Sequence, residues 1–571
     1  MDTVELLVIL IVSLALTAFA RAKGLPAPLL VTAAALAASF IPGLPHIEID
    51  SEVILTLVLP PLLYSAALDV SWQSFRQSLR PIRRLGIVLV VVTALIVGLV
   101  AWWLVPDMTF PAAVLLGAIV APPDAVSAAA IGKKLGLPRR VMSVLSGESL
   151  INDAASLTLV RVFILIIAGE SLTLWQDLGI FGLAIGVGLV VGGVLGVIVH
   201  WLRMRLNDPV VATIMSILLP FVAYIAAEDL QGSGVIAVVT AGLYIGFNSP
   251  KEGYATRLQE RPLWTSIDVI LEGFVFALIG LQLNTVVHDT LSSNRSLWQS
   301  VGVAFVVLAV VILVRPAFVF ESYVRRRING RWLRPLIIRA TRGRRWLRWM
   351  RGHSEPKMTW RELLVVSWTG MRGVVTLAAA VSVVSSSVKI PAQDTIFLIA
   401  FVVTVGTLLI QGLTLPAVIR GLKVQDPHEG ERDTRSELEL SRRTTEAAIA
   451  LIDERRNEWA VQFGEHAVDA ALERLQARLV RQANDFQLDA TEEAAEDAAQ
   501  QTTDGGMPAR PTLRRAQREQ ILRELLGRRR EIVLQEREKG NLDEEVMRRV
   551  LLTLDAEELA MDSSQAARSR S

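Results

Sequence analysis

A chain of 571 residues that is 52% hydrophobic and only 20% charged, with a mean hydropathy of +0.44, is too apolar for a soluble globular protein. Its 58 basic and 56 acidic residues leave a formal charge of +2, and the lack of cysteine excludes disulfides, thiolate metal sites and cysteine nucleophiles. Most of the apolar excess lies before Gln425, so composition alone predicts a polytopic membrane protein with a soluble tail.

The first apolar run covers about residues 4–20 and opens with Asp2 and Glu5 rather than with basic residues. A cleaved signal has a basic amino end, so a retained first helix is expected. Arg21 and Lys23 follow it, which puts the N-terminus outside and the next loop in the cytoplasm. Further runs lie near residues 26–44, 51–70, 85–105, 111–132, 140–168, 177–200, 209–228, 234–248, 265–286, 297–320, 361–387 and 394–420. The sum is about thirteen spanning helices.

The charge of the loops tests that count, because one missed or invented helix would invert every later loop. Basic clusters recur in alternate loops, at Arg76 to Arg84, Lys133 to Arg140, Arg203 and Arg205, and Lys251 to Arg261. The opposite loops, at 42–50, 106–110, 169–176 and 228–234, hold no lysine or arginine. The same alternation makes 325–357 a basic cytoplasmic loop and places everything after Arg420 in the cytoplasm of a cell bounded by this inner, plasma membrane.

The sixth run contains Gly147-Glu148-Ser149-Leu150-Ile151-Asn152-Asp153. At helical spacing Ser149 and Asp153 share a face with Asn152 beside them, while Glu148 turns toward a neighbouring face. Ionisable groups at bilayer depth are costly, and by default they mark a transport or proton-relay site. The plainer reading, polar residues that merely join helices, is disfavoured by two further breaks. Pro122-Pro123-Asp124 interrupts the fifth helix, and Gly370-Met371-Arg372-Gly373 interrupts the twelfth. Two helices broken near mid-membrane are the mark of a transporter built from inverted repeats, with freed backbone groups facing an ion. The expected fold is all-α, with two inverted repeats, two broken and crossing helices, and a helical C-terminal domain.

At these residues the chain resembles the monovalent cation:proton antiporters of the sodium/proton exchanger type. Residues 147–153 match the family signature, with the Asn-Asp pair of its electroneutral branch. Leu59-Pro60-Pro61-Leu62-Leu63-Tyr64, Ala121 to Val126, Gly370 to Gly373 and Gln411-Gly412-Leu413-Thr414 resemble its other landmarks, in the family's order. The resemblance covers about residues 1–420. It implies a homodimer in which a core domain moves against a dimerisation domain. It also implies that Asp153 carries cation and proton in turn, and that Ser149 is an oxygen ligand to Na+ beside it. Pro123 would supply a backbone carbonyl, Asp124 would line the crossing, Asn152 would hold it together, and Glu148 and Arg372 would form a buried ion pair. Two positions depart from the family pattern. Many relatives have glutamate where Ser65 stands and threonine where Pro123 stands, which leaves Na+, K+ and Li+ open as cargo.

Glu272 in the tenth helix is a secondary candidate, expected to pair with a basic residue near the last helix. Asp69 and Arg161 lie nearer helix ends and read as snorkelling side chains, and Asp208 before Pro209 reads as a helix cap. His46, His200, His288 and His353 have no metal-site spacing. Beyond Gln425 the chain turns to Arg/Glu-rich helical segments broken by a linker at 502–508. This divides it into an antiporter domain, 1–420, and a cytoplasmic domain of regulatory type, 421–571. Basic patches there alternate with acids and lack stacking aromatics, so nucleic-acid binding is not expected. The leading reading is a secondary antiporter, not an enzyme, that exchanges Na+ for H+ and needs no cofactor beyond its cargo. A K+/H+ antiporter, a cation channel and a transporter-like sensor are the alternatives. A primary pump is disfavoured because no P-loop is visible.

Overall fold

The computed structural model describes residues 3–41, 54–169, 174–206, 208–284, 286–287, 297–332, 358–384, 388–426, 429–485, 513, 515–539 and 542–568. The loop 42–50, the basic loop from 333 onward, the linker 502–508 and His46, His288 and His353 lie outside the described residues. So do residues 170–173 of the loop 169–176.

The described residues are helical, with no strand among them. In chain order the first helices are α1 (Thr3–Ala22), α2 (Ala27–Ala38), α3 (Leu59–Asp69), α4 (Leu79–Leu104), α5 (Phe110–Val120), α6 (Ala125–Lys134) and α7 (Arg139–Ile167). There follow α8 (Leu174–Leu206), α9 (Pro209–Asp229), α10 (Gly234–Asn248), α11 (Tyr254–Leu281), α12 (Leu297–Trp332), α13 (Trp360–Trp368), α14 (Val374–Val384) and α15 (Gln393–Leu422). The C-terminal helices are α16 (Glu429–Phe463), α17 (Glu465–Asp485), α18 (Arg515–Glu538) and α19 (Glu544–Arg568). Eight described helices are long and apolar enough to cross a bilayer. Shorter apolar helices at Ala27–Ala38, Ile54–Asp69, Phe110–Val120 and Val374–Val384 stand among them.

Several helices run past their apolar windows. The expected 265–286 segment begins at Tyr254, and the 297–320 segment continues to Trp332. Hydropathy locates the apolar stretch, but the backbone ladder propagates through polar residues until a cap or breaker intervenes. Where caps occur they are legible. The Asp208 carboxylate accepts from the N–H groups of Val210 (2.9 Å) and Val211 (3.3 Å), as expected of a cap before Pro209. Thr359 and Glu362 form a reciprocal capping box at the start of α13.

The chain divides into two compact units: Met1–Ser249 with Gln259–Asp426, and Pro250–Leu258 with Pro427–Ser571. In the first, the largest buried cluster joins Val97, Leu115, Val311, Leu377 and Ile399 from α4, α5, α12, α14 and α15. A second cluster joins Tyr64, Ala223, Val238 and Trp264 from α3, α9, α10 and α11. Helices cross closely at glycines. A Cβ on Gly117 of α5 would collide with the Ala94 carbonyl of α4, and one on Gly192 of α8 with the Ala237 carbonyl of α10. Small residues let apolar helices approach in a medium that gives them little hydrophobic drive to associate. In the second unit, α16 to α19 bury Ile452, Trp459, Leu472 and Ile521 in one cluster and Val533, Met547 and Leu554 in another. The segment Pro250–Leu258 joins this unit through Arg257, whose guanidinium holds both oxygens of the buried Asp555.

Candidate cation site at two crossed helix breaks

Residues 121–124, between α5 and α6, are non-helical. Pro122 and Pro123 have no N–H to donate, and each disfavours helical geometry in the residue before it. Thr369 to Gly373 are likewise non-helical, and two glycines lower the cost of leaving the helix there. The two breaks touch. The Asp124 N–H donates to the Met371 carbonyl at 2.6 Å. A Cβ on Gly373 would stand 2.5 Å from Asp124 Oδ2 and 2.7 Å from Asp124 Cγ, so any other residue there would displace the Asp124 side chain.

Each break exposes one helix C-terminus and one N-terminus, and charged side chains answer both. Arg372 is 2% exposed. Its Nε donates to the Val120 carbonyl (2.9 Å), Nη2 to the Ala121 carbonyl (3.4 Å) and Nη1 to the Gly370 carbonyl. One cation thus satisfies orphan carbonyls at the C-terminal ends of α5 and α13. Asp124 stands at the opposite pole, directly before α6 and against Gly373, which precedes α14, and its Oδ2 accepts from Ser127 Oγ at 3.1 Å. An anion at helix N-termini is the complementary arrangement.

Helix α7 runs beside this crossing. Asn152 is fully buried and its Nδ2 donates to the Pro123 carbonyl at 2.7 Å, tying α7 to the first break. Its Oδ1 has no hydrogen-bond partner among the described residues. Asp153, the next residue, is 8% exposed. One turn earlier Ser149 lines a cavity of about 200 Å³ together with Ser65, Asp69, Asp268 and Glu272. Ser65 Oγ donates to Asp268 Oδ2 at 2.6 Å.

The geometry replaces the expected ion pair. Glu148 does not pair with Arg372; its partner is Arg315 of α12, whose Nη2 lies 2.8 Å from Oε2 while Nη1 holds Oε1. The Arg315 and Glu148 side chains are 3% and 2% exposed, and Arg315 Nε also donates to the Val366 carbonyl at 2.9 Å. Arg372 is engaged by helix-end carbonyls. A lone arginine in the middle of the apolar run 297–320 was the available signal for the true partner. Glu272 lines the cavity with two other acids, and no ion pair joins it to the last helix among the described residues. Asp69, read as snorkelling, lines the same cavity, and Arg161 pairs with Glu228 at 3.1 Å. Sequence reasoning passed over Asp268, a carboxylate four residues before Glu272 on the same helical face.

Buried carboxylates at two crossed breaks in an apolar helical protein define an ion-coupled secondary transporter rather than an enzyme. The family model for the transmembrane sodium/hydrogen exchanger matches residues 6–421, and the chain belongs to that family. It is 31% identical over 431 residues to an uncharacterized Na+/H+ exchanger of Mycobacterium tuberculosis, covering 75% of this chain and 74% of that one. It is 28% identical over 456 residues to the Na+/H+ antiporter ApNhaP of Aphanothece halophytica, covering 79% and 80%. The structure of the sodium proton antiporter MjNhaP1 from Methanocaldococcus jannaschii shares the fold, with a TM-score of 0.54 at 18% identity over 73% of this chain and 97% of that one. The protein is thus a multi-span membrane protein of the cation/proton antiport class.

Proposed function

We propose that this protein exchanges Na+ for H+ by alternating access, as a homodimer, with proton and cation competing for Asp153. The observation that carries this reading is the Asn152–Pro123 hydrogen bond, which fixes α7 against the unwound segment and thereby sets the adjacent Asp153 beside the crossing. A hard monovalent cation needs several oxygens and no dedicated charge cage. Asp153, Ser149, Asp124 and freed backbone carbonyls supply them. The empty, charged site is the state hardest to carry through the low-dielectric barrier, which couples the two fluxes and suppresses leak.

Asn152 sets the stoichiometry in this reading. Its amide hydrogen-bonds but neither titrates nor carries charge, so one carboxylate swaps one proton for one monovalent cation. The membrane potential then has no net charge on which to do work of about 2.3 kcal/mol per charge per 100 mV. In proteoliposomes with a Na+ gradient set against a pH gradient, the null point should stay fixed as the potential is clamped at several values. A null point that moves with voltage overturns electroneutrality and implicates Asp124 as a second proton carrier.

K+ transport is the second reading. The departure from the family pattern at Ser65 leaves the selectivity open, and one relative, in Bacillus pumilus, is named a sodium, potassium, lithium and rubidium/H+ antiporter. Here Asp268 brings a carboxylate to Ser65 from another helix. Asp268→Asn should therefore raise the KM for Na+ about tenfold, the loss of one charge contact of ~1.4 kcal/mol, while leaving the maximal rate within about twofold. Comparable Na+ and K+ flux by the wild type would establish the second reading. An unchanged KM in the variant would remove Asp268 from the cation path.

A further inference from the structure

We infer that the protein holds an anionic phospholipid in a second cavity, on the face of α7 opposite the cation site. This cavity has a volume of about 640 Å³ and lies between α7 and the start of α4 on one side and α8 and α10 on the other. Ile151, Ala154, Ala155 and Thr158 form its α7 wall. At 3.6 residues per turn these lie on one stripe, while Ser149, Asn152 and Asp153 lie on the opposite one. The one polar side chain on that wall, Thr158, turns its hydroxyl back to the Ala154 carbonyl at 2.6 Å and presents its apolar side.

The two ends of the cavity differ. Along α8 it runs from Ile185 to Gly193, ~12 Å of helix, between apolar side chains. Gly193 opens onto free space, since a Cβ there would meet nothing within 4 Å, whereas neighbouring Gly192 is pressed against Ala237. At the end nearest Phe247 stands Arg83, exposed, and the sole charged residue among the described residues that line the cavity. Exposed Arg76 and Arg80 belong to the same short segment. Trp72, 38% exposed, rims this end, with its ring centroid 6.1 Å from those of Phe75 and of Phe247. Tryptophan beside arginine marks the headgroup level of a bilayer, and an apolar slot descending from it matches one acyl chain. The phosphate of an anionic headgroup sits on Arg83 and the chain lies along Gly193.

The position gives the lipid a role. It wedges between α7, which carries the site, and the α8–α10 pair, which crosses at Gly192. Any displacement of α7 against that pair must move the lipid or carry it along.

The test compares wild type, Arg83→Gln, Arg83→Lys and Gly193→Phe, each purified as a monodisperse full-length chain. Lipids retained from mixed phosphatidylglycerol and phosphatidylcholine vesicles are counted by native mass spectrometry. The wild type and Arg83→Lys should retain phosphatidylglycerol with about fivefold preference, the scale of one basic contact at a membrane surface. Arg83→Gln should lose the preference while still holding lipid of either kind. Gly193→Phe, which fills the slot, should lose the bound molecule altogether. In vesicles, adding phosphatidylglycerol should change the exchange rate of the wild type and leave that of Gly193→Phe unaltered. Equal retention of both lipids by the wild type, or equal phosphatidylglycerol retention in all four proteins, means annular lipid only and overturns the proposal.

Discussion

Asp153→Asn should reduce exchange to the background of protein-free vesicles while leaving a folded protein with unchanged hydrodynamic size. The substitution preserves volume but exchanges an acceptor-only carboxylate for an amide, and so removes the titrating group for which cation and proton compete in the proposed mechanism. Asn152 still donates to Pro123 in the variant, so the crossing of the two breaks keeps its support. The measurement is Na+-driven proton efflux from proteoliposomes, paired with Na+-dependent proton release by the purified protein in detergent. Proton release that survives in the variant would move the exchanging carboxylate elsewhere, with Asp124 the first place to look.

The second large effect belongs to Arg315. Replacing it with alanine leaves Glu148 as an unpaired charge, 1% exposed, at a cost of about 3–5 kcal/mol. Thermal unfolding in detergent should show a large loss for Arg315→Ala, and much of it should return in the double variant Glu148→Gln with Arg315→Gln, where neither residue is charged. The same Glu148→Gln change should not rescue Arg372→Ala. That variant loses the cation that satisfies carbonyls of Val120, Ala121 and Gly370, and the defect lies in the crossing rather than in Glu148. Rescue of Arg372→Ala by Glu148→Gln, with none for Arg315, would restore the pairing first expected from the family resemblance.

Read alone, the sequence revealed the membrane class, the apolar runs and the places where helices break. All three follow from local chemistry. Apolar windows of spanning length declare themselves in composition, Pro122-Pro123 removes two ladder donors, and Gly370 with Gly373 makes departure from the helix cheap. It also placed Ser149 and Asp153 on one face of one helix, because a period of 3.6 needs no knowledge of neighbours. What it left open were contacts between helices distant in the chain. Glu148 finds Arg315 across 167 positions, and Ser65 finds Asp268 across 203. Periodicity says which way a side chain points along its own helix but not which helix stands there, and in a bilayer several arginines can meet one buried glutamate. Tertiary packing made that choice. By closing the two breaks on each other it committed Arg372 to backbone carbonyls at helix ends, which left Arg315, on a continuous helix, as the partner of Glu148.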